Sequence, residues 1–372
     1  MSALRLIALA GLLACGAGSP AGAQPSEAAA GWFDYSAAIT ADAAVVDRDA
    51  GDATVFGLVL VEVRSTLDTA RAGWWADGQF GVALQATFGG RPTRSVGDFQ
   101  GLSNIEAPAR LRLFEAWYEH GFEDAALRLR CGLQDANAAF NVLDAAALFL
   151  NSSFGITPEL SQVEPSIFPD TSLGLVLEHG VRERFYVLAG TFDARAETSL
   201  ATRFRLGEGW FSAFETGYSA AGTKAGIGAW YSTRPATDAA GAPHNANSGY
   251  YAIAETTRTT RRGRVLSPFV QLGRARADRN VADAYAGAGL VWSRVCACRQ
   301  DDRLGLAAAI AREASTRTTE TVLELSYEAP MTPRLTLQPD VQVIWRPGFD
   351  HARDAATAVT LRLIYRPGRV PQ

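Results

Sequence analysis

Short segments in which apolar and polar residues alternate recur along this chain, and they constrain its fold more than any other feature. Residues 114–119 read Phe-Glu-Ala-Trp-Tyr-Glu, and similar alternation returns at 126–131 and 359–365. A period of two places successive side chains on opposite faces of a β-strand. Clusters of Gly, Pro, Asp and Asn separate the segments, as turns do. The chain is therefore predicted to be all-β.

The pattern predicts roughly 16 strands of about ten residues, which is the length that a tilted strand needs to cross a bilayer. The predicted strands are 34–46, 55–66, 75–88, 112–121, 125–133, 172–179, 183–193, 210–217, 225–232, 249–256, 264–273, 283–293, 302–311, 320–327, 334–344 and 355–366. Outer-membrane barrels have even strand numbers, whereas soluble sandwiches favour shorter strands. Short links such as 121–124 contrast with long ones such as 89–110 and 134–171, as expected for periplasmic turns and outer loops. The prediction is a transmembrane antiparallel β-barrel.

The start of the chain indicates export. Arg5 precedes the apolar residues 6–13, and Ala-Gly-Ala at 21–23 has the small residues of a secretory cleavage site. Leu-Leu-Ala-Cys at 12–15 also resembles a lipoprotein cleavage box, so removal and lipidation of Cys15 both stay open. The predicted divisions are a signal peptide (1–23), a lead-in (24–33), the barrel (34–366) and a tail (367–372). The predicted location is the bacterial outer membrane.

Composition and motifs argue against several other functions. The net charge of -4 is not the basic balance of a nucleic-acid-binding protein. The chain has no G-x-S-x-G, phosphate-loop or H-E-x-x-H motif, and its four histidines are scattered. Cys131, Cys296 and Cys298 have no histidine cluster with which to form a zinc site. We therefore expect no catalytic, cofactor or metal site and no nucleic-acid partner.

Charge placement predicts which face of a strand points into the barrel. An arginine at the bilayer midplane costs about 2–4 kcal/mol, and an acidic residue costs less. Glu115 and Glu119 share one face, so both are predicted to face the lumen together with Trp117. The same argument turns Arg128 and Arg130 inward. It leaves Leu127, Leu129 and Cys131 on the outward face of their strand.

Near the end of the chain, Asp340 and Gln342 share a face with Gln338, and Arg362 opposes Leu361 and Leu363. A lumen that mixes carboxylates, guanidinium groups, amides and an aromatic ring suits sugars. Sugar hydroxyls need dispersed donors and acceptors, and sugar C–H faces stack on aromatic rings. The alternative interpretation is that these side chains only pair with one another and keep the lumen hydrated.

Several segments resemble the carbohydrate-selective porin (OprB) family of outer-membrane proteins. The resemblance is carried by Leu-Phe-Glu-Ala-Trp-Tyr-Glu (113–119), Leu-Arg-Cys-Gly-Leu-Gln-Asp-Ala-Asn (129–137), Phe-Leu-Asn-Ser-Ser-Phe-Gly (149–155), Ser-Gly-Tyr-Tyr-Ala-Ile-Ala-Glu (248–255), Pro-Phe-Val-Gln-Leu-Gly (268–273), Asp-Arg-Asn (278–280), Asp-Arg-Leu-Gly-Leu (302–306) and Leu-Gln-Pro-Asp-Val-Gln (337–342). It implies 16 antiparallel strands in a Gram-negative outer membrane and passive uptake of mono- and small oligosaccharides. It also implies one loop that folds inward, with Asn151 near the constriction. Alternatively, Asn-Ser-Ser at 151–153 only caps a turn.

Four functional hypotheses follow. The first is a sugar-preferring porin, and the second is a general or anion-leaning porin. The second rests on the arginine excess, because Lys224 is the only lysine among 35 basic residues. The third is a barrel-borne hydrolase with its catalytic groups on distant strands, and the fourth is a structural barrel with a closed lumen. The expected partners are small carbohydrates in transit, outer-membrane lipids and, for an oligomer, further copies of the chain.

Overall fold

The computed structural model describes residues 31–48, 53–122, 126–181, 184–196, 209–237, 242–261, 263–295, 299–353 and 355–367. The predicted signal peptide with Cys15 lies outside these ranges. Most of the lead-in, the pair Cys296 and Cys298, and the tail beyond 367 lie outside them too.

Sixteen long strands form one closed antiparallel barrel, which confirms the predicted fold. They are β1 (Phe33–Asp47), β2 (Ala53–Asp68), β3 (Gly78–Gly89), β4 (Arg110–Phe122), β5 (Leu127–Gln134), β6 (Ser172–Val181), β7 (Phe185–Asp193), β8 (Trp210–Ala220), β9 (Thr223–Ser232), β10 (Asn247–Thr256), β11 (Val265–Ala275), β12 (Ala282–Ser293), β13 (Arg303–Glu313), β14 (Thr319–Thr332), β15 (Leu335–Trp345) and β16 (Ala356–Tyr365). Each strand pairs with its neighbours in sequence, and β1 pairs with β16, where Ile39 lies opposite Tyr365. Closure pairs both edges of the sheet formed by the described strands, as a bilayer requires.

The two ends of the barrel differ in the length of their connections. Links after odd-numbered strands include the loops 90–109 and 135–171, whereas links after even-numbered strands include the two-residue turns 221–222 and 333–334. Long loops mark the outer side of such barrels and short turns mark the periplasmic side. We call these the outer end and the periplasmic end.

Side chains alternate between the two faces of the wall. On the outward face, Leu129 pairs with Leu177 and Cys131 is exposed. The exposed apolar side chains of this face include Val63, Val82, Leu84, Leu175, Leu177, Ile227, Val270, Leu272, Leu306, Ile310, Leu323, Leu325 and Leu361. Such a belt matches the apolar band that a membrane barrel presents to lipid.

Of the loops that the structure describes in full, two fold into the barrel from the outer end, whereas the family resemblance implies only the second. Loop 90–109 contains the helix α1 (Pro92–Val96), and loop 135–171 contains α2 (Ser152–Gly155) and α3 (Pro158–Ser161). Within the described ranges, no helix has both the length and the apolar character needed to cross a bilayer. The main apolar core lies where these loops pack against the inner wall.

Candidate functional site: the channel and its inward loops

The sequence of loop 135–171 forms short caps and turns rather than long helices. The Asp135 side chain accepts a hydrogen bond from Asn137 N, and the Asn151 side chain accepts one from Ser153 N at the start of α2. Short side chains that bind nearby backbone N–H groups favour such turns. Asn141 has a φ of 62°, a left-handed conformation that asparagine tolerates. The Asn-Ser-Ser run therefore does cap a turn.

Carboxylates of the wall accept hydrogen bonds from the backbone of this loop. Glu324 of β14 accepts from the amides of Leu150 and Asn151. Glu255 of β10 accepts from the amides of Asp144 and Ala145 at 3.0 and 2.8 Å. Buried backbone amides need such partners, because each one left without an acceptor costs about 1–3 kcal/mol. These inward carboxylates therefore stabilise the folded-in position of the loop.

Glu215 of β8 accepts hydrogen bonds both from the loop backbone and from two tyrosine side chains of the wall. Its carboxylate accepts from Asn141 N at 2.9 Å and from the hydroxyl groups of Tyr186 and Tyr251 at 2.7 Å each. Nearby, the ammonium group of Lys224 donates to Val142 O at 2.8 Å. The only lysine of the chain thus binds the loop backbone.

Inward amide side chains contact the loop carbonyl groups in the same way. Gln338 Nε2 donates to Leu148 O at 2.7 Å, and Gln271 Nε2 donates to Phe154 O at 3.1 Å. Asn151 itself donates from Nδ2 to Gln342 Oε1 at 3.1 Å, across 191 residues of sequence. Asn151 therefore both caps α2 and joins the loop to β15.

Loop 90–109 is held by a second set of wall groups. Glu320 of β14 accepts from the amides of Phe99 and Gln100 at 2.8 and 2.9 Å. Arg362 and Asp42 form a buried two-point ion pair with distances of 2.7 and 2.8 Å, and Ser103 Oγ donates to Asp42 at 2.8 Å. The fork geometry of the pair satisfies both charges where water is excluded.

Apolar contacts complete the attachment. Phe149 and Phe154 of the loop lie against each other and against Phe269 of β11, with ring centroids 5.0 to 6.0 Å apart. Phe140 packs edge-on against Phe192 of β7. Because these rings are buried, releasing the loop would expose a large apolar area to water.

The buried loop carboxyl group of Glu159 is expected to make the attachment of the loop depend on pH. Glu159 of α3 is buried against Gly273, and Thr157 Oγ1 donates to its Oε1 at 2.8 Å. Burial raises the pKa of Glu159 to about 7. A raised pKa in the folded state means that the stabilisation is complete below the unfolded pKa of about 4.3 and is lost as the pH rises through about 7.

We therefore expect loop fluctuations, seen as current noise in a planar bilayer, to increase as the pH rises from about 4 to about 7 and to level off above that. The substitution Glu159→Gln keeps the neutral shape and should flatten this pH profile. The comparison is best made in an Asp135→Asn background, because burial also raises the pKa of Asp135 to about 7. An unchanged profile in the Glu159→Gln channel would show that this carboxyl group is not the cause.

A separate part of the inner wall keeps charged side chains with exposed surface. It lies on β2 to β6 toward the periplasmic end, and we call it the open wall. It comprises Glu62, Arg64, Glu115, Trp117, Glu119, Arg128, Arg130 and Glu178. Its basic groups are paired: Arg64 bridges Glu62 and Glu115, at 2.6 and 2.7 Å.

Trp117 lies at the centre of the open wall between two glycines of adjacent strands. A Cβ atom at Gly81 would lie 2.2 Å from the indole ring, so only glycine leaves room for the ring there. Gly132, opposite Trp117 on β5, has a φ of 132°, which other residues rarely adopt. The Arg130 guanidinium lies 4.2 Å from the ring centroid and pairs with Glu119 at 2.7 Å. The ring is thus held in place beside a charged pair.

The nine residues predicted from the sequence as pore-lining fall into two groups. Glu115, Trp117, Glu119, Arg128 and Arg130 belong to the open wall, where Glu115 is almost covered by its neighbours. Asn151, Asp340, Gln342 and Arg362 are buried between the wall and the inward loops. Strand alternation could not separate the groups, because it distinguishes inward from outward residues and not open from covered ones. Among the described residues, no cluster of His, Cys, Asp and Glu is arranged to hold a metal ion.

Comparison with known proteins decides the family. The sequence profile described as "Carbohydrate-selective porin, OprB family" matches residues 50–364, which is well over half of the chain. The chain belongs to the OprB family. It is therefore a carbohydrate-selective diffusion porin of the outer membrane, a passive channel and not an enzyme. This excludes the hydrolase hypothesis.

Several solved structures have the same fold. OprB from Pseudomonas putida at high pH has a TM-score of 0.83 and 19% identity, and the match covers 90% of this chain and 94% of that chain. An anion-selective porin from Comamonas acidovorans gives a TM-score of 0.57 at 12% identity, covering 90% and 99%. OmpT from Vibrio cholerae in trimer form gives 0.53 at 9% identity, with the same coverage. No curated protein sequence matches this OprB-family porin at a significant level.

Proposed function

We propose that mono- and small oligosaccharides diffuse through the part of the lumen that the two inward loops leave free, along the open wall. The observation that supports this most strongly is the fixed Trp117 ring with the Arg130–Glu119 pair beside it. Arg130 covers part of the ring. The part of the half-buried indole that stays exposed can stack on the C–H face of a sugar, while the guanidinium and carboxylate groups exchange hydrogen bonds with its hydroxyls.

The four buried candidates act differently in this proposal. Asn151 and Gln342 bind each other, and Arg362 binds Asp42, so their polar groups are already engaged. Asp340 also contacts Gln342, at 3.2 Å. We propose that these residues set the channel width by holding the loops, and that sugars contact the open wall instead.

The substitution Trp117→Ala tests the contact. We expect liposome swelling with maltose to slow relative to a size-matched neutral amino acid, by about two- to fivefold, because the loss of stacking is worth about 0.5–1 kcal/mol. Trp210→Ala is the control, since Trp210 is exposed at the outer end of β8, next to the inward-facing Phe211. Equal loss for both solutes, or no loss in a folded Trp117→Ala barrel, would contradict the proposed contact.

The anion-leaning alternative makes a different electrical prediction. Of the charged groups that form the open wall, three are arginines and four are acidic, which gives a net charge of -1. A lining this close to neutral should select weakly between ions. Reversal potentials in a potassium chloride gradient should therefore lie near zero. A strongly anion-selective potential would support the alternative function.

A further inference from the structure

A groove of about 670 Å³ lies on the outward face of the barrel, away from the channel. Its outward lining side chains include Phe214, Ile227, Tyr250, Ala252 and Leu272 of β8 to β11. The cross-strand register explains the shape. Ala252 lies between the larger Ile227 and Leu272 in one row across the sheet, so a small residue forms the floor between two apolar ridges.

Arginines border the groove in the next row toward the outer end. Across adjacent strands, this row contains Tyr250, Arg274, Ala284 and Arg312 in register. The alanine between the two arginines leaves space in which their long side chains can converge. In a membrane barrel, this row is followed within a few residues by the outer ends of β11 and β12.

A single buried carboxylate gathers three guanidinium groups at this place. Asp283, which is 1% exposed, lies 2.8 Å from Arg312, 2.9 Å from Arg317 and 3.8 Å from Arg274. The side chains of Arg274 and Arg317 stay 47% and 59% exposed. Three positive charges against one negative charge leave a net charge of +2. Asp283 therefore orients these guanidinium groups without neutralising them.

The position of this cluster determines what it can meet. It lies on the lipid-facing side of the wall, above apolar residues and close to the outer ends of the strands. Charged side chains there are tolerated because this depth is that of the lipid head groups, where their cost falls to about 0–1 kcal/mol. Guanidinium groups recognise phosphate by paired N–H donors. The apolar groove directly below matches acyl chains in polarity.

We propose that this groove and its arginines form a binding site for a phosphate-bearing, acylated lipid of the outer leaflet. The phosphate binds Arg274, Arg312 and Arg317, and an acyl chain lies over Ala252 between Ile227 and Leu272. The volume is in the range of about 300–1,000 Å³ that is usual for ligand sites. The site is separate from the channel, so it does not depend on the proposed sugar contacts.

Native mass spectrometry of the detergent-purified barrel with diphosphoryl lipid A tests the proposal. We expect the wild-type protein to retain the lipid, and the double variant Arg274→Gln/Arg317→Gln to bind it at least about fivefold more weakly, since two charge-assisted contacts are lost. Arg261→Gln/Arg264→Gln, in the exposed turn at the periplasmic end, also removes two charges and is the charge-matched control. Lipid A without its two phosphates should bind to the wild-type protein no better than intact lipid A binds to the double variant.

The substitution Ala252→Trp fills the groove and should weaken binding as well. Its control is Ala288→Trp, which changes an exposed residue of β12 on the same outward face. Ala288 lies one outward position closer to the periplasmic end than Ala286, the residue opposite Leu272. Heat-modifiable mobility on gels verifies that each variant is folded. Equal retention by wild type and variants would overturn the proposal. The proposal would also be overturned if native mass spectrometry showed an oligomer of the wild-type chain that Ala252→Trp abolishes, because the groove would then be an interface between copies.

Discussion

Replacing Glu215 and Glu324 together with alanine is expected to release loop 135–171 from the wall and to raise the single-channel conductance at least about twofold, because the loop would no longer narrow the lumen. Glu324 is the acceptor for two backbone amides, and Glu215 is the acceptor for one amide and two phenols. With about 1–3 kcal/mol for each buried donor left unpaired, the double variant loses several kcal/mol of attachment.

The strands should stay folded, because the two substitutions do not remove the backbone hydrogen bonds between strands. Planar-bilayer recordings of the refolded variant give the conductance, and liposome swelling shows whether larger oligosaccharides now pass. Glu164→Ala is the matched control, since Glu164 lies on the same loop but has a 73% exposed side chain paired with Arg234. A folded double variant with wild-type conductance would show that these carboxylates do not hold the constriction.

The second large effect concerns insertion into the membrane. Leu325 lies near the middle of β14 and is exposed on the outward face, opposite Leu306 and Val341 of the adjacent strands. The substitution Leu325→Arg places a charge near the bilayer midplane, at a cost of about 2–4 kcal/mol. We expect a correspondingly lower free energy of unfolding from lipid vesicles in urea titrations, and a smaller folded fraction on refolding.

A depth control separates this effect from general damage to the strand. Met331 is exposed on the same strand but lies next to the turn 333–334 at the periplasmic end. An arginine there can reach the interface, so Met331→Arg should cost only about 0–1 kcal/mol. If both substitutions destabilise the barrel equally, the outward face of β14 does not meet lipid in the way that its apolar residues indicate.

The strands were predictable because a membrane barrel imposes the same two constraints on every segment. Lipid on one face and a polar interior on the other enforce the alternation seen at 114–119 and 359–365, and the bilayer thickness sets the length. Turn residues then mark the ends. Each of the sixteen predicted segments overlaps one strand of the barrel. The predicted inward loop is also present, although that expectation came from the family resemblance and not from periodicity.

The partners of the inward residues were not predictable in the same way. Gln342 contacts Asn151 across 191 positions, and Arg362 contacts Asp42 across 320. Period-two alternation gives the face of a residue but contains no information about what lies opposite it in the lumen. The packing of the loops against the inner wall depends on contacts between residues that are far apart in the sequence. For the same reason the sequence does not predict that loop 90–109 folds inward. Glu320 binds the backbone of this loop, and a backbone contact leaves no recognisable motif in the sequence.

The way in which the wall holds loop 135–171 has a consequence for altering the channel. Glu255 and Glu324 bind peptide N–H groups, which every residue except proline supplies at the same place. Exposed loop positions such as Ala138 and Ala147 can therefore be exchanged without removing these contacts. Substitutions at such positions can alter the solute preference of the channel while the backbone of the loop stays in the same place. For engineering, they are the places at which to graft new selectivity onto an unchanged barrel.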